Sequence, residues 1–193
     1  MTSGRILTGA AFVVAAVGLA WILFVGLPRW YDAPPPAHAA AAPADATPPA
    51  LPGRKIKARL YYVNADGTRL VALERDVPFG EGTIGQAKEI VAAQIAPVAE
   101  PLVSAVPQGT TLHAVFVSER GDAFVDLSRE AAAAHTGGSL NELLTVYTIV
   151  NALTANLPAV TAVQLLIDGK EVDTLAGHVS LRRPLAKNLA WVQ

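Results

Sequence analysis

Ile6 to Leu27 is a run of 22 residues without a charge. At 1.5 Å of rise per residue, a helix of this length spans roughly 33 Å, enough to cross a hydrocarbon core of about 30 Å. Trp21, Trp30 and Tyr31 lie at or just beyond its C-terminal end, where an interfacial aromatic belt belongs. Arg5 flanks one end and Arg29 the other, so flanking charge barely sets an orientation. The run is longer than the 7–15 apolar residues of a signal peptide. Ala37-His38-Ala39 does have the small-x-small form of a cleavage site, but it follows Pro34, Pro35 and Pro36, ten residues past Leu27. The expectation is an uncleaved anchor over residues 6–27, with residues 1–5 as its cytoplasmic end; a cleaved periplasmic protein is the alternative.

Charge marks where a different kind of chain begins. Residues 1–53 hold four charged side chains, Arg5, Arg29, Asp32 and Asp45, and residues 54–193 hold the other 27. Residues 33–53 are Ala or Pro at 16 of 21 positions. Such a segment cannot bury a core and lacks many backbone donors, so it reads as an extended spacer reaching about 65 Å. The expected organisation is therefore an anchor, a Pro/Ala-rich linker over 28–53 and a domain over 54–193. A net charge of −1 argues against nucleic acid, which a basic surface must neutralise. The absence of cysteine excludes disulfides, thiolate nucleophiles and Cys-type zinc sites.

Periodicity over 54–193 predicts alternating hairpins and helices. Lys57–Asn64 and Leu70–Val77 read as strands around Asp66-Gly67, with Ala58, Leu60 and Tyr62 on one face. Thr83 and Gln86 form a capping box ahead of a helix whose stripe is Ile84, Ala87, Ile90, Val91 and Ile95, stopping before Pro97. Leu112–Ser118 and Ala123–Leu127 form a second hairpin, and Ser128 can cap a short helix over Arg129–His135. After Gly137-Gly138, Ser139 and Glu142 form another capping box before a long apolar helix ending at Pro158. Val160–Ile167 and Glu171–Leu175 pair around Asp168-Gly169, and Ala176–Gln193 reads as irregular. The order ββα-ββα-ββ predicts an α+β fold, its helices packed on an antiparallel-rich sheet, preceded by one transmembrane helix.

The second half carries an ordered set of motifs: Val106-Pro107-Gln108-Gly109-Thr110, Val125-Asp126-Leu127-Ser128, Gly137-Gly138-Ser139 with Glu142, Leu153-Thr154, and Ile167-Asp168-Gly169. Together they resemble the GerMN domain of sporulation and spore-germination proteins, over about residues 57–185. The resemblance implies an exported, membrane-attached protein, often a lipoprotein; here a helix anchor stands where a lipidated cysteine would. The family also resembles ring-building folds, which implies self-association or partner binding and does not imply that the host sporulates. Pro107, Gly109, Asp126, Ser128, Gly137, Gly138, Ser139, Glu142, Asp168 and Gly169 read first as architecture: turns, handovers and caps.

Chemistry is sparse. His38, His113, His135 and His178 show no metal-ligand spacing. There is no nucleophile elbow, S-x-x-K motif or phosphate loop. Asp122, Asp126 and Glu130 are the one acidic group that could serve glycan hydrolysis, which needs two carboxylates across a cleft. Arg182, Arg183 and Lys187 form a small basic tail, either a solvated surface or a contact for an anionic envelope polymer or lipid. The sequence thus points to a non-enzymatic binding or scaffold module of the cell envelope at the inner membrane. No cofactor or metal is expected. An envelope protein or a second copy is the expected partner class, with a cell-wall polymer as a further one; a carboxylate wall hydrolase is the alternative.

Overall fold

The computed structural model describes residues 53–193 together with the single position Trp21. Apart from Trp21 and Gly53, the expected anchor over 6–27, the linker over 28–53 and the Ala37-His38-Ala39 site lie outside the described residues. Among the described residues no helix is long and apolar enough to cross a membrane.

Strand β1 (Lys55–Val63) and β2 (Leu70–Pro78) pair in register as an antiparallel hairpin. Helix α1 (Gly82–Ile95) follows. A second hairpin joins β3 (Leu112–Val117) to β4 (Asp122–Leu127), and the short α2 (Glu130–Ala133) precedes the long α3 (Ser139–Asn156). Strands β5 (Ala162–Ile167), β6 (Lys170–Glu171) and β7 (Leu185–Ala186) complete the chain. The α+β class holds and the observed order is ββα-ββαα-βββ, the expected ββα-ββα-ββ with the short helix α2 and a strand β7 in the tail read as irregular; the helices face two sheets instead of one: β1-β2, and β3-β4-β5-β6 with β7 also on β5. One pair in the second sheet, β4 with β5, is parallel. The chain between them runs through α2 and α3, and parallel neighbours need a crossover of that kind.

Alternation fills the core as expected in β1, where Ala58, Leu60 and Tyr62 are buried. Tyr61 is buried as well, because the helices close over that side of the hairpin. In the second sheet Val115, Val125, Leu165, Ala123 and Val163 are buried in register across three strands. Helix α3 packs against β1, β5 and α1, and buries Leu144, Val146, Ile149, Val150 and Leu153. In α1, Ala87, Ile90 and Val91 are buried, while Ile84 is 44% exposed and does not belong to the stripe.

Both expected capping boxes are absent. Helix α1 begins one residue before Thr83, with Glu81 as its N-cap and no side-chain cap. Gln86 instead clasps the incoming chain: its Oε1 accepts from the Gly80 N–H at 3.0 Å and its Nε2 donates to the Pro78 carbonyl at 3.1 Å. Gly80 has to be glycine, since a Cβ there would collide with the backbone of Gly85. Helix α3 starts at Ser139 itself, with Gly138 as N-cap and no side-chain cap.

The segment read as irregular is tied down along its length. Leu181 is buried and its carbonyl accepts from Gln164 Nε2 at 3.3 Å. β7 pairs with β5, and Asn188 exchanges two hydrogen bonds with the Asn151 carboxamide, 3.0 and 2.8 Å. Val192 bridges to Leu70 at the start of β2. The tail therefore links the two sheets. β7 takes the Ala162–Val163 end of β5, and β6 is the two-residue strand Lys170–Glu171 and not the expected Glu171–Leu175.

Candidate functional site

The motif residues gather in two groups. In the first, the end of β4 meets the β5–β6 turn. Asp168 and Gly169 have φ of 49° and 75°, the left-handed pair that a two-residue hairpin turn requires. Asp126 Oδ1 accepts the Gly169 N–H at 2.7 Å, and the Asp168 N–H donates to the Leu127 carbonyl at 2.9 Å. Asp168 in turn accepts the Arg129 N–H at 3.2 Å and the Arg129 Nε at 3.2 Å. Two motifs some forty residues apart thus lock one corner of the sheet.

Ser128 does not cap α2. Its N–H donates to the Thr111 carbonyl at 2.9 Å and its Oγ accepts the Thr111 N–H at 3.0 Å, extending the β3–β4 pairing. The Ser128 hydroxyl also bonds Glu130 and, with the Glu130 N–H, holds that carboxyl below its ordinary range. Pro107 and Gly109 form the adjoining turn, where the Thr110 hydroxyl donates to the Pro107 carbonyl at 2.8 Å. His113 Nδ1 lies 3.7 Å from Asp126 Oδ2 and 4.0 Å from Asp168 Oδ1. An imidazole beside a carboxylate can act as a general base. Here the ring makes no hydrogen bond to a hydroxyl among the described residues, and each carboxylate already serves a backbone N–H.

The second group surrounds the start of α3. Gly137 and Gly138 both take positive φ, 80° and 87°. Ser139 is exposed, whereas Glu142 is completely buried. The Glu142 carboxylate crosses to the tail: Oε1 accepts from Leu175 and Ala176 N–H at 2.8 and 3.0 Å, and Oε2 from His178 N–H at 2.7 Å. His178 Nδ1 lies 3.3 Å from Oε2. Burial alone would raise this carboxyl's pKa, but the N–H groups of Ala176, His178, Leu175 and Val179 outweigh it and leave the pKa lowered.

Two hollows flank the segment 103–108. One, of about 520 Å³, has a floor of Val106, Leu144 and Thr145 and a rim of Gln108, His135 and Asn141. The other, of about 590 Å³, runs along the C-terminal end of α1 to Thr111. The His135 ring is fixed between Gly137 N–H, which donates to Nδ1 at 2.9 Å, and Thr145 Oγ1, 3.1 Å from Nε2. Nδ1 is therefore the acceptor and Nε2 carries the proton of the neutral ring. The Thr145 hydroxyl donates in turn to the Ala105 carbonyl at 2.6 Å, so the hydrogen-bond chain closes on backbone.

Asp122 and Asp126 stand at opposite ends of β4, and the Asp126 carboxylate is engaged by the Gly169 N–H. All three cations of the basic tail are exposed; Arg182 is held by Asp173 through two bonds of 2.8 Å, and Arg183 and Lys187 make no ion pair among the described residues. Among the described residues no three His, Asp or Glu side chains assemble as a metal would require. The buried carboxamides of Gln94 and Asn151 and the rim position of Asn141 were not legible in the sequence, and Gln108 was legible only as part of a turn motif. A polar residue on an otherwise apolar helix face is the signal that marks the first two.

The family model described as "Germane: Sporulation and spore germination" matches residues 59–173, more than half of the chain. Among solved structures, the first GerMN domain of the sporulation protein GerM from Bacillus subtilis is 19% identical, with a TM-score of 0.52, covering 68% of this chain and 97% of that one. The tandem GerMN domains of the same protein give 20% identity and a TM-score of 0.51, covering 70% of this chain and 46% of that one. A candidate lipoprotein from Clostridium perfringens is 22% identical at a TM-score of 0.49, covering 71% and 90%. No curated protein matches the chain. The matched span contains both clusters of motif side chains up to Gly169, and the chain belongs to the Germane, or GerMN-domain, family of sporulation and spore-germination proteins.

Proposed function

We propose that this chain is a single-pass protein of the cell membrane, held by residues 6–27, spaced by 28–53, whose domain over 54–193 works outside the cytoplasm as a non-enzymatic binding or scaffold module of the envelope. The observation that carries the reading is the use made of the motif acids. Asp126, Asp168 and Glu142 each accept backbone N–H groups that join distant segments, and none projects into either hollow. A wall hydrolase needs two carboxylates free on either side of a substrate. The apolar run Ile6–Leu27 and the Ala/Pro composition after it support the anchor and spacer. Arg183 and Lys187 are the positions at which an anionic envelope polymer would be met. The sporulation role in the family's name belongs to its named members and is not carried over.

Protease treatment of spheroplasts tests the topology. The domain is digested from outside if the reading holds; survival until the membrane is lysed contradicts it. Crosslinking in intact cells, with the full chain, tests the binding role through recovery of a defined envelope protein or a second copy.

A further inference from the structure

Edge strands are ordinarily kept from pairing with another chain by charge, proline, shortness or a covering segment. Most edges of this fold show one of these devices. The outer edge of β1 is closed by Val103 and by the Gln94 and Asn156 carboxamides, and its remaining outward residues are Lys55 and Lys57. The outer edge of β2 is joined to the tail at Leu70 and held by Gln86 at Pro78, with the charged run Glu74-Arg75-Asp76 between them. At one end of the second sheet, β6 is only Lys170 and Glu171. The other end is β3, Leu112–Val117, six residues with no Asp, Glu, Lys, Arg or Pro. Its Val115 is buried, whereas Phe116, on the opposite face by alternation, is 58% exposed.

The register of β3 makes this edge complementary to itself. The Ser118 N–H donates to the Asp122 carbonyl at 2.9 Å, so the even-numbered residues bond β4, and Val115 and Val117 turn their N–H and C=O groups outward. A bulge between Leu112 and Ala114 ends the regular edge on the other side. A twofold axis through Phe116 sets Val115 of each copy opposite Val117 of the other, which pairs every outward group of the stretch. The same axis places the two Phe116 side chains directly opposite, in the non-hydrogen-bonded kind of pair where side chains stand closest. Phe124 is the neighbour of Phe116 across β4, so the pair completes a row of four rings over the joined sheets. Glu119, the first charged residue past the strand, falls opposite His113 of the second copy, so no like charges meet.

We infer that two copies of this chain pair antiparallel through β3, with Phe116 on the twofold axis, and join their second sheets into one. The inference rests on the binding-module reading and names the partner as a second copy.

The chain has no cysteine, so disulfide cross-linking of the full chain in its membrane reads the register directly. Phe116→Cys should oxidise to a linked dimer roughly tenfold more than Leu189→Cys, which is similarly exposed at 52%, because directly opposed residues meet the Cβ spacing of a disulfide. Ala114 of one copy faces Ser118 of the other, and this pair leaves Phe116 in place. Ala114→Cys and Ser118→Cys chains expressed together should therefore link roughly tenfold more than either alone. Cross-linking no greater than the Leu189 control, or a mixture no better than its single variants, overturns the pairing. Sedimentation of the detergent-solubilised full chain gives the second measurement. The parent and Leu189→Lys should dimerise, and Phe116→Lys, with unchanged melting, should be monomeric, since a charge blunts an edge. A monomeric parent, or a Phe116→Lys chain that dimerises like the parent, overturns the inference. A photo-crosslinking residue at Phe116 in intact cells separates this claim from the broader one. Copy-to-copy adducts mapping to β3 support it. Adducts to a different envelope protein alone overturn the self-pairing and leave the binding module standing; no adducts here, and none from crosslinking the parent chain, overturn both.

Discussion

The side-chain carboxamide of Gln94 pairs with the backbone of Tyr61 as a neighbouring strand would: the Tyr61 N–H donates to Oε1 at 2.9 Å, and Nε2 donates to the Tyr61 carbonyl at 2.8 Å. Thr148 adds a hydroxyl bond of 2.6 Å to the same carbonyl. The free edge of β1 is thus closed by helix side chains at the point where it is fully buried. Gln94→Leu removes both carboxamide bonds and leaves the Tyr61 N–H unpaired, while Thr148 still serves the Tyr61 carbonyl. It should cost about 1–3 kcal/mol, the range for one unsatisfied buried donor. Asn156→Ala, which frees the exposed Arg59, should cost less. Equilibrium denaturation of the two variants checks the order.

Residues 54–193 should be soluble and unfold in one cooperative transition, because the Ala/Pro segment before them supplies no core. Trp191 is the single tryptophan of that piece, and its carbonyl accepts the Leu70 N–H at 2.7 Å, so its fluorescence reports the contact between tail and first hairpin. Aggregation, or a Trp191 transition separate from loss of far-UV dichroism, would place the boundary elsewhere.

Much of this architecture was legible from spacing. The Asp66-Gly67 and Asp168-Gly169 turns, the helix stops before Pro97 and Pro158, and the buried face of β1 follow from local rules on φ, proline and alternation. What was not legible depends on distant partners. Ser139 and Glu142 have capping-box spacing, yet the carboxylate meets N–H groups more than thirty residues away. The parallel β4–β5 pair and the tail's attachment through Asn151 likewise depend on which elements α3 brings together. In the site, the motif residues were legible as turns, but the locking of Asp126 onto Gly169 and the clustering of uncharged residues around Val106 were not.

Glu142 gives the domain an acid-sensitive clasp. Its carboxyl is held below the ordinary value near 4.5, so the unfolded chain binds that proton more tightly. Its contribution is therefore fully present above about pH 5 and is lost as pH falls below 4.5 through the lower folded value. Glu142→Gln places an NH2 against N–H donors and should cost about 2–4 kcal/mol at pH 7. The gap between the variant and the parent should narrow between pH 5 and pH 3. A gap that stays constant over that range would show that the charge is not what the tail's N–H groups hold.

Leu144→Ala should cost about 2–5 kcal/mol, as for a filled core, with the value near the low end because one side of Leu144 borders the hollow and can relax. Ile149→Ala, buried on all sides in the same helix, should fall nearer the high end. A Leu144 cost under about 0.5 kcal/mol, typical of surface changes, would contradict its place in the floor.

The proposed function requires that the acids of this domain hold the fold and do no chemistry. Asp122→Asn, Asp126→Asn and Glu130→Gln, introduced singly into the full chain in a strain lacking the native copy, test it most directly. Loss of a general acid or base typically lowers rate 100- to 10,000-fold, whereas most single changes at a binding surface cost under about 1 kcal/mol. Each variant that melts like the parent should restore the strain fully. One variant with unchanged melting and abolished function would contradict the claim and identify that carboxylate as part of an active site.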